Sequence, residues 1–179
     1  MSSGSTKPLL TLAFLTATAC SIHVVESLVM RLLPVPFIRL GLSNIVVMYL
    51  LFEKKPLQAI VVNVTKSIVG GAVTFTLLSP ATLLSLCGGL AAIFAMWAAI
   101  AANPGFSEYG VSVCGAVAHN LVQLALVQTL ILPGTRVFVL TPLLLFLGLL
   151  SGILTAWILL LAKARFDQNN KSGYHEERE

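Results

Sequence analysis

The segment PVPFIRLGLSNIVVMYLLFEKKP, residues 34–56, decides the fold that the sequence predicts. Its apolar part predicts a helix from about Leu40 to Phe52, which at about 1.5 Å per residue rises only about 20 Å. The hydrocarbon core of a bilayer is about 30 Å thick, so this helix is too short to cross it alone. Non-helical chain is tolerated at membrane depth only where protein or a watery cavity covers it. We therefore expect PVPFIR, residues 34–39, to enter the membrane as non-helical chain beside a site.

The composition indicates an integral membrane protein. The chain has 179 residues, of which 57% are hydrophobic and 10% charged, and its mean hydropathy is +0.93. Soluble domains carry roughly 25% charged residues. A chain this short has too much surface to hide so many apolar residues from water. The basic excess, 11 Lys and Arg against 7 Asp and Glu, lies mostly at termini and breaks, so topology explains it better than nucleic-acid binding.

Apolar runs separated by proline and glycine predict an all-α bundle of six transmembrane helices, residues 1–165. The polar residues 166–179 predict a disordered cytoplasmic tail. Small residues, among them Gly70–Gly71, Gly88–Gly89 and the GxxxG pair Gly148 and Gly152, predict close helix packing. The predicted helices run approximately over Leu9–Leu33, Leu40–Phe52, Leu57–Leu78, Ala81–Ala102, Ser107–Leu132 and Phe138–Ala164.

Lysine and arginine are distributed unevenly between the two sides of this predicted bundle. By the positive-inside rule, the side richer in basic residues faces the cytoplasm. The distribution predicts a multi-pass protein of the inner (plasma) membrane with both termini in the cytoplasm. With the N-terminus inside, the inner segments hold Lys7, Lys54, Lys55, Lys163, Arg165, Lys171 and Arg178, and the outer ones hold Arg31, Arg39 and Arg136.

Polar and charged side chains interrupt the apolar helices and predict a binding site in the outer half of the bundle. A charge at mid-membrane costs at least about 2.5 kcal/mol, so it faces a partner or an interior. Lys66 either pairs with Glu26 or contacts a ligand, and the polar residues of helix five either join helices or orient that ligand. Because cations outnumber carboxylates here, we expect an anionic solute. The candidate residues are Glu26, Arg39, Asn44, Lys66, His119, Asn120 and Gln123.

Motifs for catalysis or for binding ATP are missing from the sequence. It contains no GxxxxGK[ST] loop, no HExxH, no CxxC and no GxSxG. Of its seven carboxylates only Glu26 is clearly intramembrane, so a carboxylate cluster that holds Mg²⁺ cannot be assembled there. We therefore expect a binding protein rather than an enzyme, without a metal or a cofactor.

Two motifs resemble a known family. ESLVMRLLPVPFIRLGLSNIVVMYLL, residues 26–51, and SVCGAVAHNLVQLAL, residues 112–126, are similar to the two signatures of the Gx transporter family. That family is also described as component I of heptaprenyl diphosphate synthase. Its usual cation in helix three matches Lys66, and its small-residue AxxxA region in helix one matches Ala13 and Ala17.

The resemblance implies a transport function, because the family is similar to the substrate-binding S components of energy-coupling factor transporters. It implies a vitamin- or cofactor-like solute, a membrane coupling subunit that docks on Ala13 and Ala17, and ATPases in trans. Packing of these alanines inside the bundle stays open. The alternative is an accessory membrane subunit of polyprenyl diphosphate synthesis, which anchors a soluble synthase and holds its lipid product. There Lys54, Lys55 and the basic exit of helix six would matter.

Overall fold

The structure is a computed structural model that describes residues 6–30, 41–103, 105–133 and 136–176, with side chains described up to Arg165. These residues form helices and turns, with no strand among them. The helices are α1 (Thr6–Met30), α2 (Asn44–Phe52), α3 (Pro56–Val73), α4 (Pro80–Ala102), α5 (Glu108–Leu126) and α6 (Thr141–Glu176). A π-helical turn, Val127–Ile131, continues α5, and a 3₁₀ turn, Val137–Leu140, precedes α6.

Five of the described helices, all but α2, are long and apolar enough to cross a membrane. The all-helical, membrane-type architecture is therefore confirmed, whereas a count of six spanning helices is not. α2 has nine residues, four fewer than the predicted 40–52, and rises only about 13 Å. The predicted membrane-entering segment 34–39, including Arg39, lies outside the described residues.

α2 lies in the middle of the bundle although it is the shortest helix. It packs against α1, α3, α4 and α6, and Val47, Met48 and Leu50 are almost completely buried. α5 lies between α4 and α6. The short helix therefore serves as part of the core around which the longer helices are arranged.

The helix boundaries follow local sequence signals. Pro56 and Pro80 begin α3 and α4, where a proline needs no hydrogen-bonded N–H. Ser107 caps α5, since its hydroxyl accepts the N–H of Gly110 at 3.1 Å. At the end of α2 the N–H of Lys55 returns to the carbonyl of Leu50 at 2.9 Å, which closes the helix.

Two helix ends differ from the sequence prediction. α3 ends at Val73 rather than near Leu78, because Phe75 adopts a left-handed conformation and the N–H of Thr76 bonds the carbonyl of Gly71 at 2.7 Å. α6 continues to Glu176, into the segment for which the sequence predicts disorder. Residues 165–176 contain no proline that would end a helix, and their polarity alone does not prevent helix formation.

The two ends of the bundle are named here after one residue each. At the Lys163 end, the ammonium group of Lys163 lies 3.5 Å from a carboxylate oxygen of Glu108 and 4.6 Å from the centre of the Phe52 ring. At the opposite Leu78 end, Leu78 lines an apolar groove of about 460 Å³ together with Leu130. The start of α1 and the end of the apolar part of α6 both lie near the Lys163 end, where Thr11 and Lys163 line a common groove.

Polarity is inverted relative to a soluble protein. Large apolar side chains cover the outside, and Leu78 is 99% exposed. The interior instead contains many polar groups, including Asn63, which is fully buried, and Lys66, which is 2% exposed. In water this arrangement would expose a large apolar surface, so the distribution fits surroundings of lipid.

Candidate functional site

The segment 41–44 connects two buried charged residues, Glu26 and Lys66. The buried polar and charged residues around it are here called the polar core: Glu26, Ser43, Asn44, Lys66, Ser112, His119, Asn120, Gln123 and Thr155. Lys66 on α3 donates to the hydroxyl of Ser43 at 3.1 Å and to the side-chain oxygen of Asn44 at 2.5 Å. Glu26 on α1 accepts the N–H of Gly41 with one oxygen, while its other oxygen is buried without a hydrogen-bond partner in the described part of the chain. Both charged side chains thus hold the residues that lead into α2, a role that the sequence did not predict.

The polar residues of α5 join that helix to its neighbours. Asn120 donates to the carbonyl of Leu144 on α6 at 2.9 Å, and Gln123 donates to the carbonyl of Leu84 on α4 at a longer 3.4 Å. Asn120 and Gln123 therefore form interhelical hydrogen bonds, while a role of these residues in orienting a ligand stays a prediction. Such bonds contribute about 0.6 kcal/mol each on average.

Glycines on adjacent helices make room for several buried polar side chains. A Cβ added at Gly88 would lie 2.9 Å from the His119 ring, and one added at Gly148 would lie 2.9 Å from the Asn120 amide. The sequence predicts that such glycines form flat surfaces for close helix packing. That prediction holds for Gly152, which faces the backbone of α5, whereas four other glycines accommodate polar side chains of a neighbouring helix. The glycine–polar pairs are Gly70 with His23, Gly88 with His119, Gly89 with Asn63, and Gly148 with Asn120.

A polar cavity of about 10 Å³ lies between α2, α4, α5 and α6. It brings together three predicted site residues, Asn44, His119 and Asn120, whereas Gln123 does not line it. About 10–15 Å³ is the room that one water needs, so a vitamin-sized solute does not fit in this conformation. The remaining lining residues are Gly41, Met96, Ser112, Gly115, Ala116 and Thr155.

Thr155 and Ser43 take part in the polar core although the sequence analysis did not single them out. Ser43 accepts a hydrogen bond from Lys66, and Thr155 lines the polar cavity. The available signal for Thr155 was its position four residues after Ser151 on an otherwise apolar helix. Ser43 gave none, because a serine before a helix is ordinarily interpreted as a cap.

The predicted docking residues lie on the outer face of α1. Ala13 and Ala17 are both exposed, so neither alanine is buried by the protein's own helices. Their exposure leaves room for another helix but does not identify one, and the docking role stays a prediction.

An apolar groove, here called the lateral groove, opens between α1 and α6 in the half of the bundle near the Lys163 end. Its volume is about 280 Å³. α1 and α6 both pack against α2 but not closely against each other, so α2 forms the floor between them. Val46 and Leu159 are buried there, whereas Phe14 on the rim is largely exposed. The full lining is Thr11, Phe14, Leu15, Ile45, Val46, Tyr49, Leu159, Ala162 and Lys163.

The groove thus combines apolar walls with one cation at its end. Lys163 is about one-third exposed and already contacts Glu108 and the ring of Phe52. Such a shape suits an amphiphile that has an apolar chain and an anionic head.

The family profile described as heptaprenyl diphosphate synthase component I matches residues 15–161. The chain belongs to this family. The match includes α2, α3, α4 and α5 completely, so it covers the polar cavity and all of the lateral groove except Thr11, Phe14, Ala162 and Lys163.

Comparison with curated proteins and with solved structures gives no match to the chain. Membership in the heptaprenyl diphosphate synthase component I family confirms the resemblance predicted from residues 26–51 and 112–126. The further likeness to S components of energy-coupling factor transporters has no support among these matches and stays a prediction.

Proposed function

We propose that the chain is a membrane accessory subunit of polyprenyl diphosphate synthesis that holds the isoprenoid chain of the product in the lateral groove. The observation that carries this proposal is the groove itself, which has apolar walls and Lys163 at its end. The family description supports the same function, since it names a component of heptaprenyl diphosphate synthase. The subunit binds the isoprenoid chain of the product, and a soluble partner carries out the synthesis.

The groove can accept part of a long isoprenoid chain. Its volume of about 280 Å³ is close to the lower limit of about 300 Å³ for small-molecule pockets. Lipid tails are as apolar as an isoprenoid, so hydrophobic transfer alone does not favour the groove over the bilayer. Close contacts with Val46 and Leu159 therefore select the ligand by its shape. The anionic head of the ligand contributes most of its preference for the Lys163 end of the bundle.

Lys163 is suited to bind that head. A diphosphate carries more negative charge than the single carboxylate of Glu108 and offers several strong acceptor oxygens, so it competes well for the ammonium group. Lys54 and Lys55 follow directly after Phe52, whose ring Lys163 contacts. Two further exposed cations therefore lie near the same end of the bundle.

The same charges support one orientation of the protein in the membrane. We propose that the Lys163 end faces the cytoplasm, because Lys54, Lys55, Lys163 and Arg165 lie at this end and basic residues favour the cytoplasmic side. A soluble synthase would then meet the mouth of the lateral groove directly. The proposed membrane is the inner (plasma) membrane.

Ala162→Trp is the substitution that tests the groove. We expect it to lower photolabelling by a benzophenone-tagged heptaprenyl diphosphate about tenfold, equivalent to about 1.4 kcal/mol, because the indole fills part of the groove. Ala164→Trp is the matched control, since Ala164 is exposed, lies two residues further along α6 and does not line the groove. Labelling would be measured on both purified variants in nanodiscs.

Equal labelling of the two variants would contradict the groove as the binding site. The accessory role has a separate test in co-purification from native membranes. Recovery of a soluble prenyl synthase with the parent protein supports it, and recovery of ATPases and a coupling subunit instead would favour solute transport.

Solute binding in the manner of an S component is the second candidate, and one observation favours it. Asn44 accepts a hydrogen bond from Lys66 and also lines the polar cavity with His119 and Asn120. The Asn44 amide thus connects a cation to a cavity that two other predicted site residues line. Movement of the segment 41–44 would be required to open the cavity for a small anionic solute.

For this second candidate, Lys66→Met should weaken solute binding more than Lys66→Arg does, since arginine keeps the positive charge. Native mass spectrometry of the purified protein would identify the retained molecule, and titration of both variants with that molecule would give the affinities. A neutral or cationic molecule, or unchanged affinity in Lys66→Met, would show that Lys66 only holds the segment 41–44.

A further inference from the structure

Two hydroxyl groups in the polar cavity have no hydrogen-bond partner among the described residues. Ser112 on α5 is 4% exposed and Thr155 on α6 is 5% exposed, and both line the cavity. Several other helical hydroxyls donate to a carbonyl of their own helix, as those of Thr16, Thr129 and Ser151 do. Buried polar groups are nearly always paired, so these two exceptions require an explanation.

The side-chain nitrogen of Asn44 is a third polar group at the same place. Its amide oxygen accepts from Lys66, while its nitrogen lies over Gly41 and donates no hydrogen bond in the described structure. Asn44, Ser112 and Thr155 come from three different helices. One donor and two groups that both donate and accept therefore surround a common space.

We propose that the polar cavity is a binding site for one structural water, which joins α2 to α5 and α6. The cavity volume of about 10 Å³ corresponds to one water. Buried waters make two to four hydrogen bonds, and Asn44, Ser112 and Thr155 supply three. This site lies apart from the lateral groove, so the inference is independent of the proposed function.

The positive charge of Lys66 and the small volume of the cavity favour water over an ion as the bound species. The ammonium group of Lys66 lies 2.5 Å from the oxygen of Asn44, so a cation in the cavity would meet a nearby positive charge. A halide is larger than water, and the cavity has room for little more than a water. A neutral oxygen that both donates and accepts satisfies all three protein groups.

The first test is an experimental map of the parent protein at about 2 Å resolution. We expect one peak within normal hydrogen-bond distance, about 2.6–3.2 Å, of the Asn44 nitrogen and of both hydroxyls. The inference would be overturned by a cavity without density, by a peak at about 2.0–2.6 Å from several oxygens, which marks a cation, or by replacement with bromide, which marks a halide site.

The direction in which Thr155→Val changes the melting temperature distinguishes a hydrated cavity from a dry one. With a bound water, the variant leaves that water with one partner fewer, and we expect the melting temperature to fall by about 3–6 °C. In a dry cavity, replacing an unpaired hydroxyl by a methyl group would leave stability unchanged or raise it, which would refute the proposal. Ser151→Ala is the matched control, because Ser151 is also buried on α6 but bonds its own helix.

Discussion

Gly89→Ala is expected to lower the free energy of unfolding by about 3 kcal/mol, at the upper end of what overpacking a buried position costs. The added Cβ would overlap the side-chain oxygen of Asn63 on α3. Asn63 is fully buried, and its amide nitrogen donates to the carbonyl of Leu86 at 3.2 Å. Because the amide cannot move toward solvent, relief of the overlap breaks this hydrogen bond or separates α3 from α4. Equilibrium unfolding of the purified protein in mixed micelles measures the loss.

A second substitution shows whether the overlap causes the loss. Asn63→Ala removes the atoms that the new methyl group meets, so the double variant should be more stable than Gly89→Ala alone. Gly105→Ala is the control, since a Cβ there meets only the Asn103 side chain at 3.3 Å. If the double variant is less stable than Gly89→Ala, the glycine is required for another reason.

Gly152→Ala should be similarly damaging, with a loss of about 3 kcal/mol, for a different physical reason. Its Cβ would lie 2.9 Å from the α-carbon and 3.1 Å from the backbone nitrogen of Val113 on α5. Backbone atoms cannot rotate away, so α5 and α6 must separate along their contact. The same unfolding assay applies.

Adding Val113→Ala to Gly152→Ala should not restore the stability of the protein. Val113→Ala removes both γ-methyl groups, one of which lies 3.1 Å from the new Cβ, and it leaves the closer α-carbon in place. Recovery of the parent stability in the double variant would mean that side-chain crowding, rather than backbone contact, sets the distance between α5 and α6.

The sequence predicted the helices better than it predicted their contacts. Long apolar runs, together with Pro56, Pro80 and the Ser107 cap, are local signals, and they predict α3, α4 and α5 within a few residues at most ends. The end of α3 was missed because the closing turn places Phe75 where glycine is usual. The residue type of Phe75 does not predict its left-handed conformation.

Contacts within the polar core depend on the rotation and depth of each helix, which one sequence does not specify. The spacing of Ser112, Ala116, His119 and Gln123 predicts one face of the fifth helix with Asn120 beside it, but it does not show that Asn120 contacts α6 and Gln123 contacts α4. For Lys66 the sequence predicted either a pair with Glu26 or contact with a ligand, and both stay predictions. The bonds of Lys66 to Ser43 and Asn44 could be found only when the start of α2 was placed beside α3.

The lateral groove was not predicted at all. Its walls are ordinary apolar residues such as Val46 and Leu159, which would look the same in a closed core. Only the separation of α1 from α6 turns them into a groove, and that separation is a property of the assembled bundle.

The nine-residue α2 has a consequence for how the protein is made. A helix needs about 20 apolar residues to cross the hydrocarbon core, and α2 is far below this length. Its polar entry at Gly41–Asn44 is also held by Glu26 and Lys66, which belong to α1 and α3. We therefore expect α2 to reach its place in the bundle only after α3 has been synthesised. The order in which the helices assemble would then differ from the order in which they are made.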